Sequence, residues 1–458
     1  MFALPQVGSD TGLLGITGYS FSLIIPVLIL GYLGPILRHK LPDGVTLTQF
    51  VLARFGYAAL VMTNLISLLY MSVFLISEVT GLGFLLEMYG INPLVAQIVL
   101  CISTALYTAL SGMKSSLLTD KFQGYFVVFL ITIVLFGSCF TIQVPGPIPE
   151  KLVKPSQAGW ESLYTLIVAN LSANVFHMGY WQRVYSSKSS SELIKATGLA
   201  SLMTFPVMFI IGFSGIVSVW IGVSESNDPL AFFSLAKIFP VWVNALILVI
   251  ATAFISSSVD TLQNGITALL VNDIFGGKLK LARILSVLLN VPVLLLALKG
   301  FDVLTLFLVA DLMAAVVVCP TIIGLVFGVV REQRLGTPSS TPAETNKKIA
   351  HIHNGLPEVV SRKRVLPNGL DFVVGIIGGI SSIIGFGAVF HGNILDGIKL
   401  LGLPNGLSAL GESMGAFIAA PVGSTVFMLL SWKIRTLFCK EAETPSKPTI
   451  FSGNLALE

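Results

Sequence analysis

The chain is poor in charge. Asp, Glu, Lys and Arg make up 11% of its 458 residues, against about 25% in soluble globular proteins. So few charges cannot wet the surface of a chain this long, which excludes a soluble enzyme and a nucleic-acid-binding protein. Cysteine is scarce as well. Cys101, Cys139, Cys319 and Cys439 are far apart and lie in or beside apolar stretches. They follow neither metal-ligand spacing nor a disulfide framework, so a secreted disulfide scaffold is excluded and they read as small buried residues. Residues 1–11 lack the basic and apolar regions of a signal peptide. His351 and His353 have no further ligands beside them and read as loop residues rather than a metal site.

What the chain has in plenty is apolar sequence, with 54% hydrophobic residues and a mean hydropathy of +0.87. Eleven stretches reach the roughly 20 residues that cross a bilayer. They are A 12–36, B 48–86, C 93–112, D 118–141, E 159–180 and F 194–222, then G 240–272, H 281–299, I 302–330, J 370–392 and K 409–432. The expectation is an all-α polytopic membrane protein of about eleven transmembrane helices. Span B exceeds the need of a bilayer, so it is either strongly tilted or extends into water as an amphipathic turn.

Basic residues orient the chain. If it enters span A from outside, the outer connections hold only Lys151, Lys154, Lys237, Lys299 and Lys399, and the rest of the 27 Lys and Arg fall on the inner side. The N-terminus is then outside and the C-terminus cytoplasmic. Residues 331–369, rich in Pro, Ser and Thr and then basic, read as a flexible cytoplasmic loop, and 436–458 as a cytoplasmic tail. An external N-terminus without a signal predicts either that span A inserts as a reversed anchor or that preceding helices are absent from this sequence.

Ionisable residues inside spans are costly and therefore candidates for function. Four acids qualify: Glu78, Asp120, Asp260 and Asp311. For Glu78 and Asp311 the plainer reading is a hydrogen bond to a neighbouring helix, and for His177 a buried hydrogen-bonding role. Span G is the most informative, because Ser256, Ser257, Ser258, Asp260, Thr261 and Gln263 crowd one stretch at hydrocarbon depth. Ser257, Asp260 and Thr261 share a helix face, with Ser258 beside it. Hydroxyl and carboxylate oxygens are hard ligands suited to a small alkali cation. The alternative is that the serines serve only as small residues between packed helices.

Four motifs in order resemble the sodium:solute symporter family, to which sodium–glucose, proline, pantothenate and urea cotransporters belong. They are Thr46…Gln49-Phe50…Arg54-Phe55-Gly56; Tyr107-Thr108…Ser111-Gly112 with Thr119-Asp120…Gln123; Gln182-Arg183…Ser186-Ser187-Lys188; and Ser257-Ser258-Val259-Asp260-Thr261 closing with Asp273-Ile274-Phe275. Tyr180-Trp181-Gln182-Arg183 leans toward the urea-transporting branch.

The resemblance implies a leucine-transporter-type inverted-repeat bundle, with sodium and solute near the midplane between broken helices. It matches spans A to I with core helices two to ten, giving a transporter core at 1–330 and two peripheral helices at 370–435. Core helix one is then expected before span A and absent from this sequence. The resemblance places Ser257 and Ser258 at the sodium-ligating hydroxyls and Asp120 at the acid linked to sodium. Asp260, Thr261 and Gln263 are candidates for solute binding or coupling. Two departures stand out: Ser111 replaces a glycine, and Phe254 stands where a small residue is usual.

The function expected is sodium-coupled symport of a small organic solute such as urea, an amino acid, a vitamin or a sugar. Sodium is the coupling ion, the lipid bilayer is the setting, most simply the plasma membrane, and no cofactor, enzymatic activity or nucleic-acid partner is implied. A passive uniporter or channel on the same scaffold, a truncated non-transporting form and a membrane sensor stay open on the sequence alone.

Overall fold

A backbone in hydrocarbon has no water to bond, so each apolar run must satisfy its own amides, and a helix does this segment by segment. The computed structural model describes residues 2–42, 46–111, 113–143, 145–275, 277–327, 366–407 and 411–438, and among them there is no strand. The helices are α1 (Ala3–Lys40), α2 (Leu47–Phe55), α3 (Tyr57–Met88), α4 (Pro93–Ser111), α5 (Met113–Thr141) and the short α6 (Glu150–Val153). Then come α7 (Gln157–Phe176), α8 (Met178–Ser186), α9 (Ser190–Trp220), the short α10 (Ala231–Ala236) and α11 (Val241–Leu269), which runs on into a π turn at Leu270–Ile274. The rest are α12 (Leu279–Leu288), α13 (Asn290–Ala297), α14 (Val303–Phe327), α15 (Gly369–His391), α16 (Ile394–Lys399) and α17 (Glu412–Phe438).

Among the described residues, eight helices are long and apolar enough to cross a membrane: α1, α3, α9, α11 with its π turn, α12 and α13 together, α14, α15 and α17. The other three expected spans, C, D and E, fall on α4, α5 and the α7–α8 pair. Span B is not one continuous helix. It divides at Gly56, whose φ of 88° favours glycine, into α2 and α3. Thr46 caps α2 by accepting from the Gln49 amide. The expected loop with His351 and His353, the tail after Phe438 with Cys439, and the side chains of Ser111 and Cys139 lie outside the described residues. Cys101 and Cys319 are free thiols.

The segment before span A is helical, which the sequence did not announce. Ala3–Thr11 is set off from the rest of α1 by Gly12, at φ 67° and ψ −149°. This front piece packs on α9 at very close range: a Cβ on Gly215 would lie 1.9 Å from the Pro5 carbonyl oxygen, and one on Gly8 would lie 2.3 Å from that of Gly212. Glycine is therefore the residue that lets these two backbones touch.

At the centre, α3 and α14 pack antiparallel. Phe84 approaches Gly300, and ten residues earlier Phe74 packs on Phe307 with ring centroids 4.4 Å apart. Small and branched residues of α14, Ala314 to Val317, are fully buried. Outside this core, α15 and α17 pack on each other. The buried Asp371 accepts from Ser431 at 2.7 Å and pairs with Arg435 at 2.8 Å.

Candidate functional site

Span E breaks at His177. The residue ends α7 in extended geometry and starts α8, its Nδ1 accepting from the Gly179 amide at 3.2 Å. Trp181 donates across the break to the Val175 carbonyl at 2.5 Å. The hydrogen-bonding role read for His177 is what it performs here, from a half-buried position. An interruption of this kind is tolerated at membrane depth where side chains re-bond the freed backbone and the gap lines a cavity.

Three of the four sequence motifs meet around this break. Ser257 on α11 donates to Asp120 Oδ1 on α5 at 2.6 Å. The other Asp120 oxygen pairs with Arg183 on α8. One turn along α11, Asp260 is completely buried, accepting from Tyr107 at 2.5 Å and from Thr119 at 3.4 Å. Gln123 donates to the Ala253 carbonyl at 3.0 Å. Thr48, from the first motif, donates to Asp273 at the end of the fourth. Residues scattered over more than two hundred positions are thus bonded directly to one another.

Two chambers flank this arrangement. One, of about 370 Å³, is lined by Asp120, Arg183, Ser257, Thr261, His177 and Asn174, among others. The second, of about 360 Å³, is walled mostly by apolar and aromatic side chains, including Phe254, and takes in Glu78 and Asp311. Leu23, Phe74, Asn170 and Ser258 line both and form the partition between them. In the first chamber a guanidinium faces the acid. In the second, no Lys, Arg or His is among the described lining residues.

Of the site residues expected from sequence, Ser257, Ser258, Thr261 and Asp120 come together on the first chamber. Asp260 supports them from behind through Tyr107 and Thr261 and lines neither chamber. Gln263 points away, donating to Asn290 on α13 at 2.8 Å. Asp311 departs from its plain reading. It is 3% exposed, yet its Oδ1 has no hydrogen-bond partner among the described residues. Glu78 fits the plain reading better, being in hydrogen-bond contact with Ser258. The role of Arg183 as the partner of Asp120 was not visible in sequence, although its Gln-Arg motif marks the position.

The model of the sodium:solute symporter family matches residues 3–329. A protein of Candida albicans described as spermidine transporter DUR31 is 31% identical over 444 residues, covering 94% of this chain and 78% of that protein. Among solved structures, a substrate-bound outward-open Na+-coupled sialic acid symporter superposes with a TM-score of 0.58 at 18% identity, over 93% of this chain and 86% of that one. Mhp1 in its inward-facing conformation gives 0.55 at 15% identity, over 95% and 88%.

Proposed function

Because the chain belongs to the sodium:solute symporter family and has the leucine-transporter-type fold, we propose that it drives the uptake of a small organic solute with sodium across the plasma membrane. In this reading the N-terminus is external, the C-terminus is cytoplasmic, residues 1–330 are the transport core and 370–435 are peripheral helices. Sodium occupies the Ser257–Ser258 step beside Asp120, and the solute occupies the neighbouring chamber.

The observation that carries the reading is the Ser257–Asp120–Arg183 chain on the first chamber. A hydroxyl has one proton and two lone pairs. By donating its proton to Asp120, Ser257 keeps its oxygen aimed and its lone pairs free for a cation. Arg183 offsets the Asp120 charge, so a monovalent ion can both enter and leave. Because Ser258 lines both chambers, occupancy on one side is felt on the other, which is the physical requirement for coupling.

The energetics suffice. One sodium moving down about 100 mV gains roughly 2.3 kcal/mol, and a tenfold gradient adds about 1.4. Together these support accumulation of roughly several hundred-fold per ion. Since the Candida relative is described as a spermidine transporter, an amine is the first solute to test, ahead of urea, an amino acid, a vitamin or a sugar.

The experiment is uptake of radiolabelled spermidine and urea into proteoliposomes with and without an inward sodium gradient. Accumulation above the equilibrium level with the gradient, and none without, is the expected result. Uptake that merely equilibrates, equally in sodium-free buffer, would replace symport with a passive carrier.

A further inference from the structure

The first of the four motifs ends at Arg54, which is among the described lining of neither chamber. Arg54 stands in the last turn of α2, on the side read as cytoplasmic from the basic residues. It is half-buried, and its Nη2 donates to the Pro367 carbonyl at 2.9 Å. Its Nε is buried and has no hydrogen-bond partner among the described residues. The Phe55 ring lies 4.8 Å from the guanidinium carbon. That ring covers one face of the group, whereas the N–H bonds lie in its plane, so Nε stays unsatisfied.

The charge is as exposed to this problem as the hydrogen bond. Burial pushes the Arg54 guanidinium below the ordinary range of arginine. Arginine keeps its proton even so, and cannot escape the cost of burial by becoming neutral. Lys40, at the end of α1, lies within electrostatic reach of Arg54 and adds a second positive charge while donating to the Leu325 carbonyl. Asp371, four residues beyond Pro367, is committed to Arg435 and Ser431.

Arg54 also lines a cavity of about 10 Å³. Its other described walls are mainly apolar, among them Phe55, Ile323, Phe327 and Met428, and no Asp or Glu is included. A volume of that order admits one particle of about the size of a water molecule, and no phosphate or carboxylate group. Water would accept from Nε but bring no charge. A monatomic anion accepts the hydrogen bond, needs no acceptor for itself and supplies the charge, and apolar walls strengthen the attraction.

We propose that Arg54, supported by the charge of Lys40, binds a small inorganic anion such as chloride in this cavity. The anion accepts from the guanidinium and fixes the C-terminal end of α2 between α14 and the start of α15. The other end of α2 is already tied to α11 through Thr48 and Asp273. The site is separate from both chambers and does not depend on which solute or ion is carried.

The test is the thermal unfolding midpoint of the purified protein in sodium gluconate, with chloride exchanged for gluconate at constant sodium and ionic strength. A ligand that binds only the folded protein raises the midpoint along a saturating curve. Chloride should raise it by about 2 °C or more, with the half-point in the millimolar range. Bromide should act alike, and phosphate, too large for the cavity, should not act. Arg54→Gln should abolish the chloride response. Arg38→Gln, which removes a charge from the same end of α1, should leave that response within about 1 °C of the unaltered protein.

A midpoint indifferent to chloride would overturn the proposal and leave the cavity to water. A phosphate response as large as that to chloride would overturn it too, and would give Arg54 to a lipid or free phosphate group. An unchanged chloride response in Arg54→Gln would contradict the assignment to this residue. If Arg54→Gln does not fold, Arg54→Lys takes its place: a lysine ammonium lacks the Nε donor, so the chloride half-point should rise about tenfold, and an unmoved half-point counts against the site. Crystals grown in sodium bromide should show an anomalous peak within hydrogen-bonding distance of Arg54 Nε, and the absence of a peak there would refute the binding.

Discussion

The two chambers are nearly equal in volume and share a wall, yet they treat negative charge in opposite ways. Around Asp120 every charge is answered, by Arg183 on one carboxylate oxygen and by Ser257 on the other. Around Asp311, Oδ1 has no hydrogen-bond partner among the described residues. An acid already paired stabilises the resting protein and orients its neighbours, whereas an acid left bare in apolar surroundings costs stability and returns it when a ligand arrives. The difference is between an acid oriented by its partners and an acid whose Oδ1 is left bare among the described residues.

The sharpest way to break the contrast is to remove the partition. Phe74 lines both chambers, and Phe74→Ala should join them into one space. We expect the accumulation ratio in proteoliposomes to fall from several hundred-fold to below about tenfold, with a sodium leak measurable without solute. Retention of full accumulation would show that the ring does not separate the two compartments.

Asp120→Asn comes next. It leaves Arg183 facing the hydroxyls as an unbalanced positive charge, so apparent sodium affinity should fall by about tenfold with membrane insertion unchanged. Adding Arg183→Gln should recover part of that loss. Both side chains are partly exposed, at 26% and 35%, so the pair itself is worth about 1 kcal/mol or less to stability. Equal sodium dependence in all three proteins would reduce the pair to a helix-end contact.

The smallest effect is expected at Gln263, which faces α13 and neither chamber. Gln263→Ala should cost about 0.6 kcal/mol of stability, as interhelical hydrogen bonds in membranes do. Sodium half-saturation and amine affinity should stay where they were. A shift in either would bring Gln263 back toward the coupling role its sequence position invited.

Gln263 also shows where sequence reading stops. Helical spacing tells which residues share a face of their own helix, and it grouped Ser257 with Asp260 and Thr261, of which Ser257 and Thr261 line the first chamber and Asp260 does not. It does not tell which neighbouring helix that face meets, so Gln263 could not be separated from the serines. All eleven apolar stretches correspond to helices, because the length and hydropathy of a span are local properties. The breaks were less legible. Gly56 and Gly12 carry positive φ values that glycine makes cheap, but neither is marked by a change in hydropathy. His177 interrupts span E without proline, and its role emerges only from the Gly179 amide that it caps.

The acids were legible as costly and not as paired or bare. Asp120 and Asp311 look alike in sequence, each a lone carboxylate within an apolar context. What distinguishes them is Arg183, sixty-three positions from Asp120 along the chain, whereas no Lys, Arg or His is among the described residues lining the chamber of Asp311. Long-range contacts of this kind are set by how whole helices pack, and no local pattern encodes them.

The division of labour between the chambers is tested most directly by Ser257→Ala, set beside Asp311→Asn in the same proteoliposomes. Ser257 lines only the first chamber and Asp311 only the second. Losing one hydroxyl ligand removes a charge–dipole contact of about 1.5–3 kcal/mol, so Ser257→Ala should raise the sodium half-saturation of uptake roughly ten- to hundredfold. Its solute affinity at saturating sodium should stay within about twofold of the unaltered protein. Asp311→Asn should do the opposite, weakening the solute and sparing sodium at saturating solute. Two variants that each shift both affinities alike, or a Ser257→Ala protein with unmoved sodium half-saturation, would contradict the account.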